Sequence, residues 1–193
     1  MSDFHMVVCV KAVPGSTEVK MDPKTNTIVR DGKQAVINPF DASALECALA
    51  LKDDFIGFGM DVLFHNRSTV SSLDFPARQV AGLDELLTQS DFAVVAVPGG
   101  AGTRHLIGAA ELDRLGPRSF LINIARGDIV QEAALIDALA RGRIAGAGLD
   151  VYEHEPRVAP ELMAMENVTL LPHLGTAAEE VRTAMAMRAM NNL

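Results

Sequence analysis

Residues 92–151 read FAVVAVPGGAGTRHLIGAAELDRLGPRSFLINIARGDIVQEAALIDALARGRIAGAGLDV, and the rhythm of this stretch decides the fold. Short apolar runs, Phe92 to Val97, Phe120 to Ile124 and Ala147 to Val151, are bounded by turn signals. Helical patterns separate them, at Arg104 to Leu115 and at Gln131 to Arg141, where Ala134, Leu135, Ala138 and Leu139 fall on one stripe. Strands that are apolar throughout are buried on both faces, and their alternation with helices implies a parallel sheet covered on both sides. Ligands of such sheets sit beyond the carboxyl ends of the strands.

The same alternation extends in both directions. Asp61 to Phe64 reads as a strand, Leu83 to Gln89 as a short helix, Val168 to Leu171 as a last strand and Ala177 to Met190 as a Met/Ala-rich helix. Near the start, Met6 to Val10 is a β-branched strand running towards Pro14-Gly15. Val19 to Arg30 alternates around Asp22-Pro23-Lys24-Thr25-Asn26 as a small hairpin, and Asp41 caps a helix bearing Leu45, Ala48, Leu49 and Leu51. The expected class is α/β: a three-layer, doubly wound, mostly parallel sheet with a hairpin insertion at about residues 19–31. One domain over 1–193 accounts for it, with Met6 to Val10 in the centre of the sheet.

Composition excludes several function classes. A chain of 193 residues with 49% apolar and 22% charged side chains has the makeup of a globular domain, not of a disordered or fibrous one. Its 17 Lys+Arg against 25 Asp+Glu give a net charge of −8, which repels a phosphate backbone, so no nucleic-acid partner is expected. Cys9 and Cys47 lie in apolar stretches without CxxC or Cys/His spacing and read as reduced core thiols; no metal site is expected. No apolar run approaches the roughly 18 residues that span a bilayer, so the expectation is a soluble, cytoplasmic protein without a membrane partner.

Three strand ends bring ionisable groups to one rim. Arg126 follows Asn123-Ile124-Ala125; several ionisable groups lie in Asp150-Val151-Tyr152-Glu153-His154-Glu155-Pro156; His173 lies in Leu171-Pro172-His173-Leu174-Gly175. Singly each is a surface arginine, a loop acid or a loop histidine. Together they can bind an oxyacid, polarise its carbonyl and move a proton. A carboxylate beside an imidazole favours the protonated ring and fixes its tautomer.

From about Gly57 to Leu193, through HNRS, SDFAVVAVP, TRHLI, LINIARGDIV, AGAGLDVYEHEP and LLPHLGTA, the sequence resembles the D-isomer-specific 2-hydroxyacid dehydrogenases, in particular their glyoxylate/hydroxypyruvate reductase branch. The resemblance implies a Rossmann-like cofactor domain and hydride transfer between a nicotinamide and a small 2-oxo or 2-hydroxy acid. Arg126 would orient the substrate, His173 would exchange the proton and Glu155 would support it. Asp150 would contact the nicotinamide carboxamide, and Pro98, Thr103, Ile124, Ala125, Arg126, His173 and Gly175 would line the cofactor. After the second strand of such a domain an acid reads the ribose 2′-OH, and a basic residue accepts a 2′-phosphate. This chain has Asn66, Arg67 and Ser68 there, so NADP(H) is favoured over NAD(H).

Two departures qualify the resemblance. The family's separate substrate domain and its G-x-G-x-x-G turn are not found: Gly57-Phe58-Gly59 precedes a strand, and Gly99-Gly100-Ala101-Gly102 follows one but occupies another loop's place. In their stead, residues 6–54 resemble the start of the electron-transfer flavoprotein β subunit through VVCVKAVP, KMDPKTNTIVRDG and INPFDASALECALALKDD. That resemblance implies adenine-nucleotide contacts, to AMP or FAD, at Cys9, Asn38, Pro39, Phe40 and Asp41, although helix capping alone accounts for the last four. The chain thus reads as a join of segments 1–54 and 55–193. The rival to a dehydrogenase is a nucleotide-binding or structural module without turnover. Met185, Met187 and Met190 read as core or interface filler, and a homodimer is expected.

Overall fold

A computed structural model describes residues 5–9, 12–14, 21–22, 27–28, 35–37, 60–66, 77–175 and 177–191. Seven strands form one sheet in the order β11-β10-β9-β8-β1-β6-β7. They are β1 (His5–Cys9), β6 (Asp61–His65), β7 (Arg78–Gln79), β8 (Phe92–Val95), β9 (Phe120–Asn123), β10 (Gly146–Leu149) and β11 (Val168–Leu170). Every pairing in it is parallel.

The strand order reverses at β1. The chain moves outward from β1 through β6 to β7, then returns to the other side of β1 and moves outward again from β8 to β11. Val7 pairs with Leu63 on one side and Ala93 on the other, and Cys9, at the end of β1, lies beside Val95. The crevice at the carboxyl ends of β1 and β8 is therefore the topological switch point, where doubly wound sheets bind ligands. The central placement expected for Met6 to Val10 holds for Met6 to Cys9, and Val10 lies outside the described residues. The expected hairpin holds too: β3 (Met21–Asp22) pairs antiparallel with β4 (Thr27–Ile28). A second antiparallel pair, β2 (Ala12–Pro14) with β5 (Ala35–Ile37), has no counterpart in the sequence reading.

Helices α1 (Leu83–Thr88), α2 (Ala109–Leu115) and α3 (Glu132–Ala140) each bury a short apolar stripe. Leu87, Leu112, Leu115, Leu135, Ala138 and Leu139 pack with Ala93, Val95, Leu121 and Leu149 of the sheet in one core. Truncating such a leucine to alanine costs about 2–5 kcal/mol. Arg143 fastens α2 to α3 through Asp113, at 2.7 Å, and through Asp137.

The stretch from Arg104 to Leu115, expected to be largely helical, is helical only in its second part, Ala109–Leu115. Upstream, His105 has φ 51° and the backbone of Ile107 bonds to Ile129 and Gln131 instead of to its own turn. Those peptide groups are spent on a neighbouring segment, so helix begins only after Gly108, whose N–H bonds the Glu111 carboxylate at 3.0 Å. A one-turn helix, α4 (Pro160–Met163), and the two-residue edge strand β7 are additions; α5 (Glu179–Asn191) matches the expected final helix. No helix among the described residues is long and apolar enough to cross a membrane.

Candidate active site

At the end of β9, Asn123 is buried and its amide closes a tight turn. Its Nδ2 donates to the Arg126 carbonyl at 3.0 Å and its Oδ1 accepts the Ala125 N–H at 3.1 Å. Ile124 is tied to β8 by its N–H on the Val95 carbonyl and leaves its side chain exposed. This fixes the peptide groups of Ile124 to Arg126 at the rim. The Arg126 side chain is exposed, and its Nη1 donates to the Ala125 carbonyl at 2.6 Å. Directly after it, Gly127 meets the next strand end: a Cβ there would lie 1.9 Å from the Tyr152 carbonyl carbon and oxygen. Only glycine permits that approach.

At the end of β10, Asp150 is 7% exposed and both its oxygens are occupied by backbone donors, Leu174 N–H at 2.7 Å and Gly175 N–H at 3.1 Å. Asp150 thereby holds the turn that carries His173, whose φ of 57° is left-handed. Tyr152 ties the same two segments again, donating its hydroxyl to the Leu171 carbonyl at 2.7 Å. Its N–H donates to Glu155 Oε1 at 3.0 Å, and the other oxygen of Glu155 faces His173 Nδ1 at 3.0 Å.

Burial works to raise the Glu155 pKa. The bond to His173, the Tyr152 N–H and the charges of His173 and Arg126 outweigh it and hold the carboxyl below its ordinary value. Arg126, Glu155 and His173 each follow the carboxyl end of one of three adjacent parallel strands, β9, β10 and β11, so the topology brings the three to one rim. Beside the pair opens a largely apolar cavity of about 390 Å³, walled by Tyr152, Val158, Met163, Leu170 and Pro172.

The remaining expected positions divide. Thr103 closes the loop after β8, its hydroxyl donating to the Pro98 carbonyl at 2.7 Å, and Asn66 follows β6 with its carbonyl accepting from Gln79. Cys9 ends β1 at the switch point. Arg67, Ser68, Asn38, Pro39, Phe40 and Asp41 lie outside the described residues. Among the described residues no cluster of His, Cys, Asp and Glu could hold a metal ion. Sequence reasoning missed Asn123, Gly127 and Tyr152 as holders of the site; the one available signal was that Tyr152 is the sole tyrosine of the chain.

A doubly wound parallel sheet with a histidine–carboxylate pair and an arginine at its carboxyl rim defines an α/β domain of the Rossmann-like class. Residues 46–175 match the family model "D-isomer specific 2-hydroxyacid dehydrogenase, NAD binding domain", and the chain belongs to that family. It is 45% identical over 138 residues to a glyoxylate reductase of Thermococcus gammatolerans, covering 71% of this chain and 41% of that protein. A glyoxylate/hydroxypyruvate reductase B of Serratia proteamaculans is 44% identical over 149 residues, 76% of this chain and 45% of that one. The NADPH-dependent glyoxylate/hydroxypyruvate reductase of Sinorhizobium meliloti, solved with NADP and malonate, superposes with a TM-score of 0.66 at 41% identity, over 72% of this chain and 43% of that one. Apo D-mandelate dehydrogenase of Rhodotorula graminis gives a TM-score of 0.72 at 29% identity over 98% of this chain and 47% of its own.

The chain thus spans less than half the length of these relatives. The last match takes in the N-terminal strand as well. The strand β1 is therefore accommodated within the dehydrogenase class, and the resemblance of residues 6–54 to the flavoprotein β subunit, with the join it implied, gains no support from these likenesses.

Proposed function

We propose that this chain is the cofactor-binding part of an NADP(H)-preferring 2-hydroxyacid dehydrogenase that reduces a small 2-oxo acid such as glyoxylate or hydroxypyruvate. The observation that carries the reading is the 3.0 Å contact of His173 Nδ1 with Glu155, on the rim that Arg126 shares. A dinucleotide fits the chemistry of this rim: fixed peptide groups at Ile124 to Arg126, the switch point beside Cys9 and Val95, and no acid at Asn66 after β6. When bound, the nicotinamide supplies the hydride.

The chain's own residues do the rest. Glu155 holds Nδ1 of His173, which leaves Nε2 to give a proton to the substrate oxygen as charge develops there. In the reverse direction Nε2 takes the proton from the hydroxyl. Arg126 leaves the Ala125 carbonyl and turns its planar fork to the substrate carboxylate and adjacent carbonyl. Asp150, already holding the His173 turn, has lone pairs left for the nicotinamide carboxamide, and Pro98, Thr103 and Gly175 complete the lining.

Preference for NADP(H) rests on Asn66-Arg67-Ser68 and on the likeness to the NADPH-dependent Sinorhizobium enzyme. A homodimer is favoured by the exposed Val181, Met185, Met187 and Met190 of α5, an apolar surface that a second copy would cover. Calorimetric titration with NADPH beside NADH tests the cofactor reading. Saturable binding with NADPH the tighter supports it, and a folded chain that binds neither overturns it.

A further inference from the structure

Beside the His173–Glu155 pair, the described residues hold a second histidine–carboxylate contact two residues away along the same turn. His105 Nε2 lies 2.6 Å from Glu153 Oε1. The other oxygen of Glu153 accepts the N–H of Glu132, the first residue of α3, at 3.0 Å, and the Glu153 N–H returns a bond to Glu132 Oε2 at 3.2 Å. An exposed ion pair is worth little. Here, however, the Glu153 side chain is 10% exposed with both oxygens engaged, one of them at a helix N-terminus where negative charge is favoured. His105 is itself fixed, with φ 51° and its N–H on the Asp128 carbonyl at 2.8 Å.

We propose that His105 and Glu153 are a positioning pair that holds the Tyr152–Glu155 turn, and with it the Glu155 carboxylate, in register with His173. The proposal rests on reading His173 and Glu155 as the proton-moving pair. The mechanics follow from chain connectivity. Glu153 is pinned to α3 and to the loop after β8, Gly127 abuts the Tyr152 carbonyl, and the Tyr152 N–H donates to Glu155. Slackening at Glu153 is therefore felt at Glu155 within one turn. The groups facing the pair are Glu132 across the N-terminus of α3 and His154 next along the chain. Burial opposes ionisation of Glu153, but the His105 bond, the Glu132 N–H and the charges of His105 and His154 prevail and keep its pKa lowered.

The test is the carboxyl carbon titration of Glu155, read by NMR in the full chain, for wild type, Glu153→Gln, His105→Ala and His105→Gln. The His173 contact helps hold the Glu155 carboxyl below its ordinary value, so partial loss of register should shift the Glu155 midpoint upward, towards that value. Glu153→Gln and His105→Ala should do so, and His105→Gln, which keeps a donor, should restore part of the lowering. A brace that merely adds stability would lower the melting temperature and leave the Glu155 midpoint in place, and that result overturns the proposal. A check in the unmodified protein needs no variant to fold: the amides of Glu132, Tyr152 and Glu153 should exchange with solvent as one opening unit. Independent opening of Tyr152 would also overturn it. Neither readout depends on turnover, so failure here is separable from failure of the assigned reaction.

Discussion

Glu155 stands between two segments that approach only in the folded chain. One carboxylate oxygen takes the Tyr152 N–H of its own turn, and the other meets His173 across 18 residues at 3.0 Å. The fold thus orients the acid, and the pairing through Nδ1 leaves Nε2 as the imidazole nitrogen turned away from Glu155. In the proposed function such preorganisation lets the pair move a proton without first being assembled.

Acid should loosen this region specifically. Glu153 and Glu155 both have folded pKa values below their ordinary 4.5, so the stability they contribute is present above that value and is lost as pH falls through the lowered folded values. Thermal unfolding followed from pH 6 down to pH 3 should decline in this window. The decline should be shallower in Glu153→Gln, where one titrating group is gone.

The single tyrosine gives an unambiguous optical probe. Burial of the phenol, with the negative charges of Asp150, Glu155 and Glu132 around it, raises the Tyr152 pKa above its ordinary 10.0. Tyrosinate absorbance of the folded chain should therefore emerge above pH 10, and stability should fall as pH rises from the ordinary phenol value of 10.0 through the higher folded one. Tyr152→Phe removes the bond to Leu171 and should cost about 1 kcal/mol in urea unfolding, while raising the mobility of the His173 segment.

Gly127→Ala should be among the more damaging single changes. Its new Cβ would meet the Tyr152 backbone carbonyl, which cannot turn aside as a side chain would, and the expected cost is about 3 kcal/mol. Gly82→Ala meets nothing within 4 Å and should change stability by less than about 0.5 kcal/mol. Denaturant midpoints of the two variants decide it.

Arg126→Lys keeps the charge and loses the planar fork. Substrate affinity should weaken by about tenfold, visible as a raised KM for glyoxylate with NADPH binding little changed. Equal weakening of both would mean that the Arg126 guanidinium, and not only its peptide group, bears on the cofactor.

How much of this was legible in the sequence follows a physical division. The segments carrying Arg126, Glu155 and His173 stood out because each sits just past an apolar strand, while the choice of Glu155 over its acidic neighbours Asp150 and Glu153 came from the family resemblance. The parallel sheet followed from the same alternation, and the central place of Met6 to Val10 from reading that segment as the first strand-loop-helix unit of a doubly wound sheet. Gly127, Asn123 and Tyr152 did not, because their duties are contacts between segments far apart in sequence, and no local periodicity records them. The overlong helix at Arg104 has the same origin. Apolar spacing there suits a helix, but Ile107 spends its peptide groups on residues 129 and 131, a tertiary pairing that local propensity does not encode. A four-residue helix such as Pro160–Met163 is shorter than the period by which helices are recognised.

The central claim is that His173, held by Glu155, moves the proton in reduction of a 2-oxo acid. The most direct measurement is the rate at which the purified chain oxidises NADPH in the presence of glyoxylate, compared with His173→Ala. The account predicts saturable, glyoxylate-dependent oxidation that falls by about 100-fold or more in the variant, with NADPH affinity retained. Equal rates for the two proteins, with both folded and binding NADPH, would contradict it.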